Sequence, residues 1–181
     1  MRKLNYITSL VQQVKKQDVV AMRTLYEQYS KEMLAASYRI TNNLQDSEDI
    51  LQEAFLTSFQ KIDQLKDGAK YGGWLKQIIT NKSLTSIKKR VQFKEIETVK
   101  DLAEEVEDSD WYKGIPFDKI KKAIQELPES SRQIFTLYLL ENYKHKEIAE
   151  LLNISVSTSK SQYRYALKLL KEKLKSVIRY E

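Results

Sequence analysis

The sequence predicts an all-α protein of two small helical domains, and three observations carry that expectation. Gly and Pro together number six in 181 residues, which favours long helices with short connections. Apolar residues recur three and four positions apart through most of the chain, and no alternation is long enough to compete as a strand. Charge is partitioned as well. Glu95 to Asp110 holds eight acidic residues and one lysine, a local −7 in a chain of net +6, so everything outside it sums to +13. The expected layout is a helical domain over 1–94, an acidic flexible linker over 95–115 and a second helical domain over 116–181.

Composition also bounds function. A hydrophobic share of 41% suffices for a core. Cysteine is absent, which removes disulfides, thiolate zinc sites and cysteine nucleophiles. The first seventeen residues are too broken by Gln, Lys and Asn for a signal peptide, and no apolar run is long enough to span a bilayer. A soluble, cytoplasmic protein without direct membrane insertion is expected. There is one histidine, no phosphate-cradling Gly-Lys loop and no metal-ligand cluster, so no enzyme activity, metal, cofactor or small-molecule substrate is expected. Two basic bodies call for a polyanion partner.

The elements follow in order. From Asp18 to Ile40, Val19, Met22, Leu25, Tyr26, Tyr29, Met33 and Leu34 fall at helical spacing. Asp46 is the expected N-cap of the next helix, with Glu48 and Asp49 in its first turn, where they complement the helix dipole. That helix carries Ile50, Leu51, Ala54, Phe55, Phe59 and Ile62 on its apolar stripe. The loop KDGAKYGG, 66–73, holds three of the four glycines and is expected to shape a pocket. A third helix runs from about Trp74 to Arg90 with Leu75, Ile78, Ile79, Leu84 and Ile87 inward. Beyond the linker, Phe117, Ile120, Ala123, Ile124 and Leu127 make one stripe, Pro128 redirects the chain and Ser131 to Leu140 forms another helix.

The stretch HKEIAELLNISVSTSKSQYRYALKLL, His145 to Leu170, reads as helix, turn and helix. Ile148, Ala149, Leu151 and Leu152 face inward, and Ser157 is the expected cap of the second helix. In that helix Tyr163, Ala166, Leu167 and Leu170 point inward, while Lys160, Gln162, Arg164 and Lys168 lie outward. Such a face is either a solvated surface on a helical hairpin or a DNA reader set in the major groove. The turn spacing and the capped second helix favour the reader.

Here the residues resemble a family. LPESSRQIFTLYLLENYKHKEIAELLNISVSTSKSQYRYALKLL is similar to the promoter-reading C-terminal domain of sigma factors of the sigma-70 family, in particular the extracytoplasmic-function (ECF) group. The likeness lies in LP at 127–128, Arg132, EIAELL at 147–152, and Thr158, Lys160 and Ser161 leading into Ala166. It implies a helix-turn-helix whose Ser157, Thr158, Lys160, Ser161, Gln162, Arg164 and Lys168 meet the minus-35 element. Gln162 stands where the family often carries Arg.

Helix-turn-helix units are widespread, so a second motif decides the class. DSEDILQEAFLTSFQKI, Asp46 to Ile62, resembles the sigma helix that docks on the clamp helices of the largest subunit of core RNA polymerase. It implies contacts from Asp49, Gln52 and Glu53. Their spacing of three to four residues puts them on one helix edge, and an acidic surface on a basic protein suits a basic protein partner. Tyr71 to Arg90 resembles the part of sigma region 2 that melts and captures the minus-10 element. It implies a ring from Tyr71 beside an unstacked base, an amide from Asn81 on a base edge, and phosphate contacts from Lys82, Lys88, Lys89 and Arg90. Trp74 is the expected core anchor.

The resemblance spans about residues 18–174 and implies three partners: core RNA polymerase, promoter DNA and an anti-sigma factor. The acidic linker is either a solubilising tether or, as the family implies, a nucleic-acid mimic threaded through polymerase. Two other classes account for less. A regulator that ignores polymerase explains 127–178 but leaves 46–90 as scaffold, and an adaptor explains the acidic helix but not the basic ones.

Overall fold

Ile7, Leu10, Val11 and Val14 fall on one stripe of a helix, α1 (Arg2–Lys15), that has no counterpart among the predicted elements. In the computed structural model, residues 2–87 and 114–178 are described, with side chains described for 6–87 and 114–175. These residues fall into two compact units on either side of Ile87, each with its own core. All regular elements among the described residues are helical, and no helix among them is long and apolar enough to cross a membrane.

In the first unit the chain leaves α1 through Gln17, whose φ of 62° is left-handed. Asp18 then caps α2 (Val19–Thr41), its carboxylate accepting from the Val20 and Ala21 amides at 2.8 and 3.1 Å. Asn42, also left-handed, ends α2. The cap of α3 (Leu44–Gln60) is Asn43, which accepts from the Asp46 amide at 3.2 Å. The expected cap, Asp46, therefore sits inside the first turn, because the helix starts earlier than its acidic residues suggest. Two 3-10 turns, Ile62–Gln64 and Gly68–Lys70, lead into α4 (Tyr71–Ile87).

The glycine-rich stretch is a 3-10 turn followed by the first turn of α4 rather than a loop. Gly72 and Gly73 lie in the first turn of α4, and a Cβ on Gly72 would stand 2.7 Å from the Tyr29 ring. A Cβ on Gly68 would stand 2.9 Å from the Cα of Thr8 on α1. Both positions serve close packing. The core of this unit unites α1 to α4 through Val11, Leu25, Met33, Phe55, Leu75 and Ile79, with Trp74 packed partly buried against it.

The core of the second unit includes Ile115, a residue expected in the linker. Helices α5 (Phe117–Gln125) and α6 (Glu129–Phe135) each follow a proline, and a π-helical turn over Thr136–Leu140 extends α6. Phe117, expected on the inward stripe of α5, is 77% exposed, because the helix begins at that residue and only its later turns face the core. Then come α7 (His145–Leu152) and α8 (Val156–Ile178), joined through the left-handed Asn153. Ala166, Leu167, Leu170 and Leu174 of α8 close the core against Ala123, Leu127 and Phe135. The expected boundary near residue 94 and the acidic run 95–110 lie outside the described residues.

Candidate nucleic-acid and protein interfaces

On α3, burying Ile50, Leu51, Ala54, Phe55 and Ser58 turns the opposite face to solvent. Glu48, Asp49, Gln52 and Glu53 are all exposed there, so the three predicted docking residues share one accessible edge. Leu56 joins them at 61% exposure. It lies one turn beyond Gln52 and Glu53, a spacing from which the sequence alone can place it on the same edge.

Along α4, Gly73, Gln77, Asn81 and Thr85 are exposed at four-residue intervals. Asn81 is accordingly free to meet a ligand, and Gln77, which the sequence reading passed over, offers a second amide one turn earlier. Tyr71 behaves differently. It is fully buried, its hydroxyl is 3.0 Å from the Ser58 hydroxyl, and its ring packs against Tyr29 and Trp74 at centroid distances of 5.5 and 6.2 Å. Burial pushes its pKa up, opposed by the Ser58 hydrogen bond. The expectation of a Tyr71 ring offered to a base is corrected: the first turn of α4 aims this side chain into the core, so its place is that of an anchor. Lys88, Lys89 and Arg90 lie outside the described residues.

Helices α3 and α4 enclose an open groove of about 570 Å³. One wall is Asp46, Asp49, Ile50 and Glu53, and the other is Asn81, Lys82, Thr85 and Ser86. Across it, the Lys82 ammonium donates to Glu53 Oε2 at 3.0 Å. The sequence assigned these two side chains to different partners, and the structure joins them.

In the second unit, Ser155 rather than Ser157 caps α8, its hydroxyl accepting from the Thr158 amide at 2.9 Å. This start fixes the register. Ser157, Lys160, Arg164 and Lys168 are exposed along one stripe. Thr158, Ser161 and Gln162 are buried. Gln162 Oε1 accepts from the Ser131 and Ser130 hydroxyls at 2.6 and 3.2 Å, and Ser161 donates to the Thr158 carbonyl at 3.1 Å. The expected outward placement of Gln162 is corrected, because an amide two residues past Lys160 falls on the side of α8 that packs on α6. Its role is to tie the two helices together.

His145 holds the start of α7 against α8. Its ring stacks on Tyr138 at 4.3 Å and meets Tyr163 edge-on at 5.7 Å, while Nδ1 lies 2.9 Å from the Ser159 hydroxyl. Burial lowers its pKa, and nearby Lys160 and Arg164 add to the effect. A neutral imidazole therefore supports the basic stripe from beneath.

Comparison with known proteins adds an independent finding. Residues 25–92 match the family model described as Sigma-70 region 2, and residues 117–170 match Sigma-70, region 4. The chain is 27% identical to the ECF RNA polymerase sigma factor SigW of Bacillus subtilis (strain 168), over 94% of this chain and 98% of that one. It is 24% identical to the ECF RNA polymerase sigma-E factor of Escherichia coli (strain K12), over 94% and 95% of the two chains. Among solved structures it is similar to the sigma factor RpoE in complex with the anti-sigma factor NepR from Bartonella quintana, with TM-score 0.52, 18% identity and 84% and 96% coverage. It is also similar to CnrH in complex with the cytosolic domain of CnrY, with TM-score 0.51, 17% identity and 94% and 97% coverage. These two likenesses concern the fold.

Proposed function

The chain belongs to the sigma-70 family of RNA polymerase sigma factors, in its ECF group, and directs core polymerase to promoters to initiate transcription; from that premise we propose which of its surfaces perform each step. The exposed edge of α3 is the polymerase surface. Asp49, Gln52 and Glu53 supply charge and hydrogen bonds, and Leu56 supplies the apolar contact that interfaces concentrate near their centre. An acidic edge calls for a basic partner surface, and the clamp helices of the largest polymerase subunit are the one proposed.

The exposed edge of α4 takes the minus-10 strand, with Asn81 and Gln77 meeting base edges and Lys82, Lys88, Lys89 and Arg90 the backbone. The exposed stripe of α8 takes the minus-35 duplex. Lys160, Arg164 and Lys168 neutralise phosphates or bond guanine, and Ser157 adds a hydroxyl, while Thr158, Ser161 and Gln162 shape the helix from within. The chemistry of RNA synthesis belongs to the polymerase, so the protein acts as a non-catalytic subunit in the cytoplasm. An anti-sigma factor that occludes these faces is the further partner.

The observation that carries this reading is the order of parts in one chain: region 2 with an exposed acidic edge, then region 4 with a basic stripe. Binding of the labelled full-length protein to bacterial core RNA polymerase tests it, beside Glu53→Arg. Tight binding that the variant loses by at least thirtyfold, about 2 kcal/mol for reversing an interfacial charge, is the expected result. Equal binding by both proteins would remove α3 from the docking surface.

A further inference from the structure

The Glu53–Lys82 pair joins the surface assigned to polymerase to the surface assigned to DNA. Resting on those assignments, we propose that Glu53 is a positioning residue which holds Lys82 until polymerase docks, so that the basic partner replaces Lys82 on Glu53 and Lys82 passes to a DNA phosphate. Four features carry this.

The pair spans two helices, with Glu53 on α3 and Lys82 on α4, and closes at 3.0 Å. Neither side chain is needed for the core, so each is free to change partner. Exposure is unequal: Glu53 is 66% exposed and Lys82 30%. A protein surface approaching α3 therefore reaches the carboxylate directly, while the ammonium is the more enclosed group. The surroundings reinforce the asymmetry, because Asp46 and Asp49 stand on the wall of Glu53 and face Asn81, Thr85 and Ser86 across the groove. In the free protein a phosphate approaching Asn81 meets this acidic wall, with the nearby ammonium already engaged. Finally, a solvent-reached ion pair is a weak contact and is readily exchanged.

Exchange conserves charge on both sides. The partner's cation takes the place of Lys82 on Glu53, and the phosphate takes the place of Glu53 on Lys82. Coupling of this kind is reciprocal, so whatever frees Glu53 also favours docking. The consequence is a sigma factor whose single-strand surface is held back until it is on polymerase.

A double-mutant cycle on the full-length chain tests the idea by two measurements. The first is binding of the free protein to a fluorescein-labelled, mixed-sequence single-stranded oligodeoxynucleotide across a salt series. Glu53→Gln tightens binding about two- to fivefold and steepens the salt dependence by about 0.7, one extra phosphate, and these gains vanish in a Lys82→Gln background. The second is docking on core polymerase, which Lys82→Gln tightens about two- to fivefold by releasing Glu53. An equal gain from Glu53→Gln with or without Lys82 would mean general repulsion and would overturn the latch. So would an unchanged affinity for Glu53→Gln alongside weaker binding for Lys82→Gln, an outcome that leaves the DNA assignment standing. If Lys82→Gln changes neither oligonucleotide binding nor promoter opening by the holoenzyme, the α4 assignment itself fails, and the latch with it.

Discussion

The two surfaces proposed to meet DNA handle charge in opposite ways. On α4, Lys82 is engaged by a carboxylate across a groove. On α8, Lys160, Arg164 and Lys168 stand on an exposed stripe, and none of them forms an ion pair among the described residues. The basic stripe is ready to attract duplex at long range, whereas the α4 edge must first shed an internal partner. The difference suits the tasks proposed for them, duplex binding for α8 and strand capture for α4. It also teaches that a lysine's surroundings, more than its presence, decide when it is available.

The comparison extends inward and can be broken there. Each unit conceals polar side chains that the sequence placed at a DNA surface: Tyr71 in the first, and Thr158, Ser161 and Gln162 in the second. The largest expected effect is at Tyr71. Replacing it with Ala empties a fully buried site and removes one of the two partners of the Ser58 hydroxyl, which keeps its bond to the Phe55 carbonyl; the cost is about 3–5 kcal/mol by thermal or urea melting of the first unit. A variant of unchanged stability that fails only in promoter opening would restore Tyr71 to the base-contacting role.

Next in size is Gln162. Its replacement by Ala leaves the Ser130 and Ser131 hydroxyls without their acceptor and destabilises the second unit by about 1–3 kcal/mol. Arg164→Ala is the contrasting probe. It leaves stability within about 0.5 kcal/mol and lowers the salt slope of duplex binding by about 0.9, the loss of one phosphate contact. The opposite pattern, with Gln162 altering base preference at full stability, would reverse the assignments.

The smallest effect is at His145. Its pKa is lowered in the folded state from an ordinary value of 6.5, so the unfolded chain takes up the proton first as pH falls. The stability that the neutral ring contributes is complete above pH 6.5 and is lost as pH drops through the lower folded value. Melting midpoints measured across this range should fall with pH in the wild type and stay flat in His145→Gln, relative to each other. A wild type that gains stability on acidification would mean that the imidazolium is the favoured form.

Much of this was legible in the residues. Helical periodicity located α2, α3, α4 and α5 within a few residues, and the exposed edge of α3 followed from spacing alone. The family likeness, read from motifs at 46–62, 71–90 and 127–170, agrees with matches to sigma-70 regions 2 and 4. Helix α1 is the element absent from the sequence expectation: Ile7, Leu10, Val11 and Val14 repeat at helical spacing, but Lys, Gln and Asn interrupt the apolar pattern around them. Both displaced caps failed for one reason. Several polar residues in a row can each cap a helix, and only the hydrogen bond made, Asn43 to Asp46 or Ser155 to Thr158, chooses among them.

The sequence by itself determined the class of the protein: its helical content, its two units, its acidic and basic helices and the order of its motifs. These depend on composition and on spacing along one helix, which are local quantities. Tertiary structure alone decided that Tyr71 and Gln162 point inward, that Gly72 exists to admit the Tyr29 ring, and that Glu53 meets Lys82. Each of these depends on which helix lies alongside another and at what register. A stripe pattern shows that a helix has an inner face, but the neighbour that fills it is set by packing over the whole unit.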